Sequence, residues 1–352
     1  MKLHEFLATM RTLVDEARTE KLTAESRIVF LSDLHLGNRF RGDDFRKNED
    51  LVKGALSSFY LSHGWKLVLN GDVEELHKFK YHAIREAYPE LYSIFGSFRD
   101  GGRLVKLVGN HDLALLAHED GEFPLEQALR LDAETGTILA FHGHQSHRFF
   151  MKYNFVSDFI IHYIANPLRI PSVGKPVTSR RRYNAERRIY RVSKELGVVT
   201  IAGHTHRPLF ESCSKYDSLR WNIESALRQY TLAVGGERER IESMIGIYVQ
   251  EFNRLSRKER RRKLSRNLYE RDDIRVPCLF NSGCAISRGG FTAIEIEGPD
   301  ISLVYWTREG NARPYIEREA LFRDRPEGTP WQRYTIARDS LEYVFARLKL
   351  LA

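Results

Sequence analysis

Five short motifs follow one another along the chain, and each stands at the carboxyl end of an apolar run. Arg27-Ile28-Val29-Phe30-Leu31 leads into Ser32-Asp33-Leu34-His35, and Trp65-Lys66-Leu67-Val68-Leu69 leads into Asn70-Gly71-Asp72. Leu104-Val105-Lys106-Leu107-Val108 precedes Gly109-Asn110-His111-Asp112, Ile138-Leu139-Ala140-Phe141 precedes His142, and Val198-Val199-Thr200-Ile201-Ala202 precedes Gly203-His204-Thr205-His206. Short β-rich runs bounded by glycine and polar residues read as buried strands. Ligands of open α/β sheets collect beyond the carboxyl ends of the strands, so residues far apart in sequence are expected to meet at one rim.

The residue types at that rim suit a pair of metal ions. Carboxylate and imidazole together favour Mn, Fe or Zn. An aspartate can give one oxygen to each of two ions, and Asn110 offers a neutral amide oxygen. The adjoining glycines allow tight turns and close backbone approach. Two metals roughly 3.5–4 Å apart can clamp an in-line displacement at phosphorus. Each motif alone reads equally well as an ordinary turn; all five in order do not.

In these motifs the sequence resembles the calcineurin-like metallophosphoesterases, over roughly residues 27 to 307 with the insertions set aside. That resemblance implies an α/β fold, a β-sandwich flanked by helices in α-β-β-α layers, with helical insertions. It implies that Asp33, His35 and His206 hold one metal, that Asn110, His142 and His204 hold the second, and that Asp72 bridges them. His111 takes the place of the family's catalytic histidine, and Glu75 takes the place of the carboxylate that orients it; the alternative for Glu75 is a solvated acid beside Glu74. The implied cofactors are two divalent cations, Mn first, with Fe, Zn or Mg as alternatives. The implied reaction is hydrolysis of a phosphodiester or pyrophosphate bond by in-line attack of a metal-held hydroxide.

The motif style around Ser32–Gly37, Glu75 and Gly203–Pro208 is similar to the branch containing the UDP-2,3-diacylglucosamine pyrophosphatases. That likeness points to a nucleotide-linked lipid or a nucleotide as substrate. Two departures stand against it: His111 occupies a position where that branch carries arginine, and His142-Gly143-His144 replaces His-Gly-Asp. A phosphomonoesterase or nuclease of the same family, and a non-catalytic scaffold docking to acidic membrane or RNA, are the other readings.

The formal net charge of the 352-residue chain is +8, which favours an anionic partner. A phosphorylated substrate comes first, with peripheral contact to an acidic membrane surface and nucleic acid behind it. Cys213, Cys278 and Cys284 form no metal-ligand spacing, and so sparse a set points to a reducing compartment and a cytoplasmic protein. Met1–Phe6 is broken by charge and does not read as a secretory signal, and no apolar run reaches the ~18 residues of a membrane span.

Residues 1–24 read as an N-terminal amphipathic helix over residues 3 to about 22, ahead of a catalytic domain at 25–310. Two insertions interrupt the domain. The first, about 146–196, is aromatic and then basic, and is read as a cap whose Arg180, Arg181, Arg182, Arg187 and Arg188 contact substrate; a core-packed helix pair with a solvated arginine face is the alternative. The second, about 211–276, has helical periodicity over Ile223–Tyr230 and Ile241–Leu255 and ends in a basic run at 254–266. Phe291–Glu297 and Ile301–Trp306 alternate as a hairpin, and 311–352 is read as a helical extension with its helix at 335–351.

Overall fold

The computed structural model describes residues 3–117, 122–146, 179–210, 215–254, 276–312, 316–317, 320–327 and 329–352. The aromatic half of the first insertion, Cys213 and the basic run beyond Arg254 lie outside the described residues.

The chain begins with α1 (Leu3–Glu16), β1 (Arg18–Lys21) and β2 (Arg27–Leu31). A helical stretch built on α2 (Glu49–Gly54) and a π-helical continuation over Ala55–Leu61 leads to β3 (Lys66–Asn70), then α3 (Tyr81–Ala87) and α4 (Pro89–Asp100). β4 (Leu104–Leu107), β5 (Leu125–Glu126), β6 (Leu129–Asp132) and β7 (Thr137–Ala140) follow, and α5 (Ser179–Leu196) precedes β8 (Val199–Ala202). Helices α6 (Lys215–Leu232) and α7 (Gly236–Arg254) lie within a separate compact unit, Ser212–Arg275. The main unit then resumes with β9 (Leu279–Asn281), β10 (Gly290–Glu297), β11 (Asp300–Arg308), β12 (Phe322–Asp324), β13 (Trp331–Ser340) and α8 (Leu341–Leu351).

The main unit is a mixed α/β fold with two sheets flanked by helices. One sheet has the order β1-β6-β7-β8-β9, the other β12-β13-β11-β10-β2-β3-β4-β5. Strands β2, β3 and β4 run parallel, as do β7, β8 and β9. All five motifs therefore leave the carboxyl ends of parallel strands. Alternation along β2 and β3 divides the core. Val29, Leu31, Leu67 and Leu69 pack with Leu51, Val52, Leu56, Leu91, Phe95 and Phe98 of the helical layer. Phe30 and Val68 are buried on the opposite face, where Asn70 Nδ2 donates to Ile201 O of the second sheet at 3.3 Å. Helix α4 forms because Pro89 supplies its first turn and Leu91, Tyr92, Phe95 and Phe98 fall on one face.

Two boundaries differ from the sequence expectation. The N-terminal helix ends at Glu16, and Arg18–Lys21 forms a strand paired parallel with β6. It is a short, charged edge strand with no apolar alternation to announce it. The C-terminal segment is not a helical extension: Trp331–Ser340 pairs along β11 inside the larger sheet, and helix begins only at Leu341. An irregularity in the pairing leaves Ile336 without a partner on β11, which breaks the period-2 pattern and lets the run mimic a helix. Ser340 sets the true helix start by accepting from Tyr343 N at 3.2 Å. Among the described residues, no helix is long and apolar enough to cross a membrane.

Beneath the rim lies a buried ion pair. Lys106 on β4 donates to Glu74 Oε1 at 2.6 Å, and Tyr92 OH donates to the same oxygen at 2.8 Å; both charged residues are fully enclosed. Burial pulls the Lys106 ammonium down, but the Glu74 carboxylate more than offsets this. Removing one member of such a pair strands the other charge. Lys106→Met is expected to lower unfolding free energy by about 3–5 kcal/mol in urea titration, with Lys106→Met/Glu74→Gln recovering most of the loss. A single variant as stable as the parent would show that the pair does not hold β4 to the loop after Asp72.

Candidate metal centre

The five motif loops converge. Asp33 N donates to Gly71 O (3.1 Å), His35 N to Asp72 O (3.0 Å) and Leu36 N to Val73 O (2.8 Å), so the first two loops zip together beyond β2 and β3. Gly203 N donates to His142 O at 2.9 Å and joins the fourth loop to the fifth. Close approach at the crossing requires glycine: a Cβ on Gly109 would lie 2.2 Å from Asp72 N, and one on Gly71 would lie 2.6 Å from the His142 ring. Six non-glycine residues among those described have positive φ, and five are expected metal ligands: Asp33 (54°), His35 (48°), Asp72 (52°), His204 (64°) and His206 (55°). Such conformations persist where the surroundings over-determine them, and they concentrate at functional sites.

Two ligand groups result. In the first, Asp33 Oδ1 and His206 Nε2 are 3.1 Å apart, His35 Nε2 and His206 Nε2 are 3.1 Å apart, and His35 Nε2 is 3.8 Å from Asp33 Oδ1. In the second, Asp72, His142 and His204 bring ligand atoms within 4.8 Å of one another. Asp72 Oδ2 touches both groups, 3.1 Å from His142 Nε2 and 3.8 Å from His35 Nε2. Its other oxygen accepts from His111 N at 2.8 Å.

The atoms left over fit divalent cations. Asp33 Oδ1, Asn110 Oδ1 and His142 Nε2 are all buried with no hydrogen-bond partner among the described residues. The opposite side of each group is committed. Asp33 Oδ2 accepts from Ser32 Oγ (2.6 Å) and His204 N (3.0 Å). His142 Nδ1 donates to Asn70 O (2.9 Å), and His35 Nδ1 donates to Glu75 Oε2 (3.1 Å). A second hydrogen bond of this kind fixes the tautomer and leaves Nε2 as the ligand atom. Carboxylate oxygens and imidazole Nε2 atoms thus face one another at about 3 Å, an arrangement in which a cation can take the place of the ring protons. The mixed O/N donor set is one that Mn, Fe or Zn accepts.

Electrostatics of the chain alone agree. Burial pushes Asp33 and Asp72 up, but His206 and His142 for the first, and His142 and His111 for the second, hold both well below the ordinary carboxylate range. Burial pulls His35 down, yet Asp33, Glu75 and Asp72 lift it to about 9. His142 reaches about 9 because Asp72 and Asp33 outweigh its burial. His204 is pushed down to about 3, by burial first and then by the neighbouring His142.

Glu75 is 4 % exposed, which excludes the solvated alternative. One oxygen accepts from His111 Nδ1 at 2.7 Å and the other from His35 Nδ1 at 3.1 Å, so one carboxylate joins a ligand histidine to the expected catalytic one. Burial raises the Glu75 carboxyl, but its bonds to His111 and His35 prevail and keep it well below the usual range. Of the arginines read as substrate contacts, Arg180, Arg181 and Arg182 lie on α5 with side chains outside the description. Arg187 is half-buried on the same helix, and Arg188 donates through Nη1 to the carbonyl of Ser146. Sequence reasoning missed His77, whose ring lies 4.2 Å from that of His111, and Asn70, whose carbonyl orients His142. Position beside the second motif was the available signal for both. It also missed Glu186, a lone carboxylate among arginines with nothing in its own motif to mark it.

Solved structures similar to this chain include Yfce, a phosphoesterase from E. coli, at 12 % identity and a TM-score of 0.32, covering 78 % of this chain and 91 % of that one. A single mutant of Vps29 from Entamoeba histolytica aligns at 11 % identity and 0.32 over 81 % and 94 % of the two chains. Vacuolar Protein Sorting 29 from Cryptosporidium parvum aligns at 9 % and 0.31 over 82 % and 93 %. No curated protein sequence matches the chain. The calcineurin-like phosphoesterase model matches residues 26–208, more than half of the chain and all five ligand loops, and the chain therefore belongs to that family.

Proposed function

We propose that this member of the family is a dinuclear phosphoesterase that cleaves a phosphodiester or pyrophosphate bond by in-line displacement. The observation that carries this reading is Asp72 Oδ2, which lies against His142 Nε2 of one ligand group and His35 Nε2 of the other. Asp33, His35 and His206 would hold one cation, Asn110, His142 and His204 the other, and Asp72 would serve both. The cations, when bound, supply Lewis acidity at the phosphoryl oxygens and raise the acidity of water.

The chain's own residues do the rest. Glu75 holds the His111 proton at Nδ1, which leaves Nε2 to face substrate. With a second proton on Nε2 the ring so held is an imidazolium, the form that can give that Nε2 proton to a departing alkoxide oxygen. A phosphate leaving group needs that help less, because it departs at a much lower pKa than an alcohol. Histidine rather than arginine at position 111 therefore favours a nucleotide phosphodiester or a phosphomonoester over the pyrophosphate of a nucleotide-linked lipid. Retention of every ligand weighs against a non-catalytic scaffold.

The reading is tested on protein stripped with chelator and reloaded with Mn, against bis(p-nitrophenyl) phosphate and p-nitrophenyl phosphate. Asp72→Asn is expected to lose hydrolysis together with metal. His111→Ala is expected to keep its metal content and lose turnover by about 10²–10⁴-fold. Full turnover in His111→Ala would remove that residue from the chemistry. No metal uptake by the parent protein would remove the enzyme reading itself.

Metal uptake should also be coupled to protons. With His35 and His142 near 9 in the chain alone, both rings are protonated at neutral pH, and binding at Nε2 must release those protons. Apparent Mn affinity is therefore expected to rise as pH increases from about 6 to 9, with protons released at pH 7. Calorimetry in two buffers of different ionisation enthalpy counts them. A pH-independent affinity with no proton release would contradict the charge state assigned to these rings.

A further inference from the structure

Glu186 sits in the middle of an arginine-rich helix, yet it is 1 % exposed. It reaches across to the fifth ligand loop. Thr205 Oγ1 donates to Glu186 Oε1 at 2.9 Å, Arg207 Nε donates to the same oxygen at 3.0 Å, and Arg207 Nη2 pairs with Oε2. A two-toothed guanidinium–carboxylate contact fixes direction as well as distance. On the other side of the loop, Asn281 Nδ2 donates to Gly203 O at 2.7 Å and to Thr205 Oγ1 at 3.2 Å.

The loop alternates in role. His204 and His206 turn inward, one to each ligand group, and both hold left-handed backbone, while Thr205 and Arg207 are gripped from outside. Left-handed histidine is unfavourable for a free chain, and it relaxes unless flanking residues prevent it. The same helix reaches the fourth loop. Arg188 bonds the Ser146 carbonyl, and the Ile189 side chain lies 3.5 Å from where a Cβ of Gly143 would be, beside His142.

We infer that Glu186 is a positioning residue for the metal centre, holding the 203–207 loop so that His204 and His206 each present a ring nitrogen to their separate cations. This rests on the reading that both ligand groups bind metal. Arg207, although adjacent to the site, then serves Glu186 and not substrate phosphate. A shorter carboxylate does not reach the loop from α5, and an alanine leaves Thr205 and Arg207 without an acceptor.

The test is Co(II) titration of metal-stripped protein, followed by its visible absorption bands, with Mn calorimetry in parallel. Parent, Glu186→Ala, Arg207→Ala and the double variant are compared, with Asp72→Ala as control and the melting temperature of each stripped protein recorded. Glu186→Ala is expected to weaken binding about 10- to 100-fold and to alter the Co(II) bands, because the ligand nitrogens move. The double variant should be no weaker than Glu186→Ala, since the two residues act through one contact. Parent-like affinity and bands in Glu186→Ala would overturn the inference, whatever its melting temperature. Should Glu186→Ala fail to fold, Arg207→Ala decides in its place, because its side chain is 48 % exposed; unchanged affinity and bands there overturn the inference equally. A parent protein that binds no Co(II) would instead sink the metal reading on which this one stands.

Discussion

The structure is organised around a buried carboxylate that no single partner can satisfy. Asp72 is 1 % exposed, and ions taken from water cost several kcal/mol each unless charge and hydrogen bonds are supplied in return. One oxygen receives a backbone N–H from His111; the other faces two imidazoles. Asp33 repeats the arrangement with the backbone N–H of His204. The loops must therefore aim an amide at one carboxylate and a ring at a cation at once. Left-handed backbone at Asp33, His35, Asp72, His204 and His206 is how they do so, and the strand pairing behind them holds that strain in place.

A second constraint is the allocation of imidazole nitrogens. Each ring has two, and a ligand must keep one lone pair free. Asn70 O takes the Nδ1 proton of His142 and Glu75 takes that of His35. The length of the glutamate side chain gives one carboxylate the reach for His35 and His111 together. The expected ligand His35 and the proposed proton-transfer group His111 are thereby mechanically linked: a shift of Glu75 changes both. His77, with its ring 4.2 Å from that of His111, confines the same imidazole from another side.

Legibility in the sequence followed the range of the interaction. Strand–loop units such as 104–112 could be read because alternation, glycine and ligand sit within ten residues of one another, and the five ligand loops were found this way. Charged edge pairing at Arg18–Lys21 could not, because only β6 makes it a strand. Trp331–Ser340 was misread because one residue out of register imitates helical spacing, and only the pairing with β11 exposes it. Glu186 reaches the fifth loop across a fold of the chain, and nothing in its immediate neighbours records that; Asn70 and His77 flank the second motif, but the His142 and His111 rings they meet lie far along the chain.

Net charge was the least informative signal, for a physical reason. A cation committed to an internal acceptor is less free to reach a phosphate than an unbonded one, and net charge does not distinguish the two. Arg188 is bound to a carbonyl, Arg207 to Glu186, Lys106 to Glu74, Arg333 to Glu295 and Asp324, and Arg85 to Glu122. These side chains are structural cross-links that happen to be basic. Several of them, Arg188, Arg207 and Lys106, secure the strands and loops that carry the ligands. At these three positions positive charge therefore serves the site indirectly, by fixing the loops through which its carboxylates and imidazoles converge.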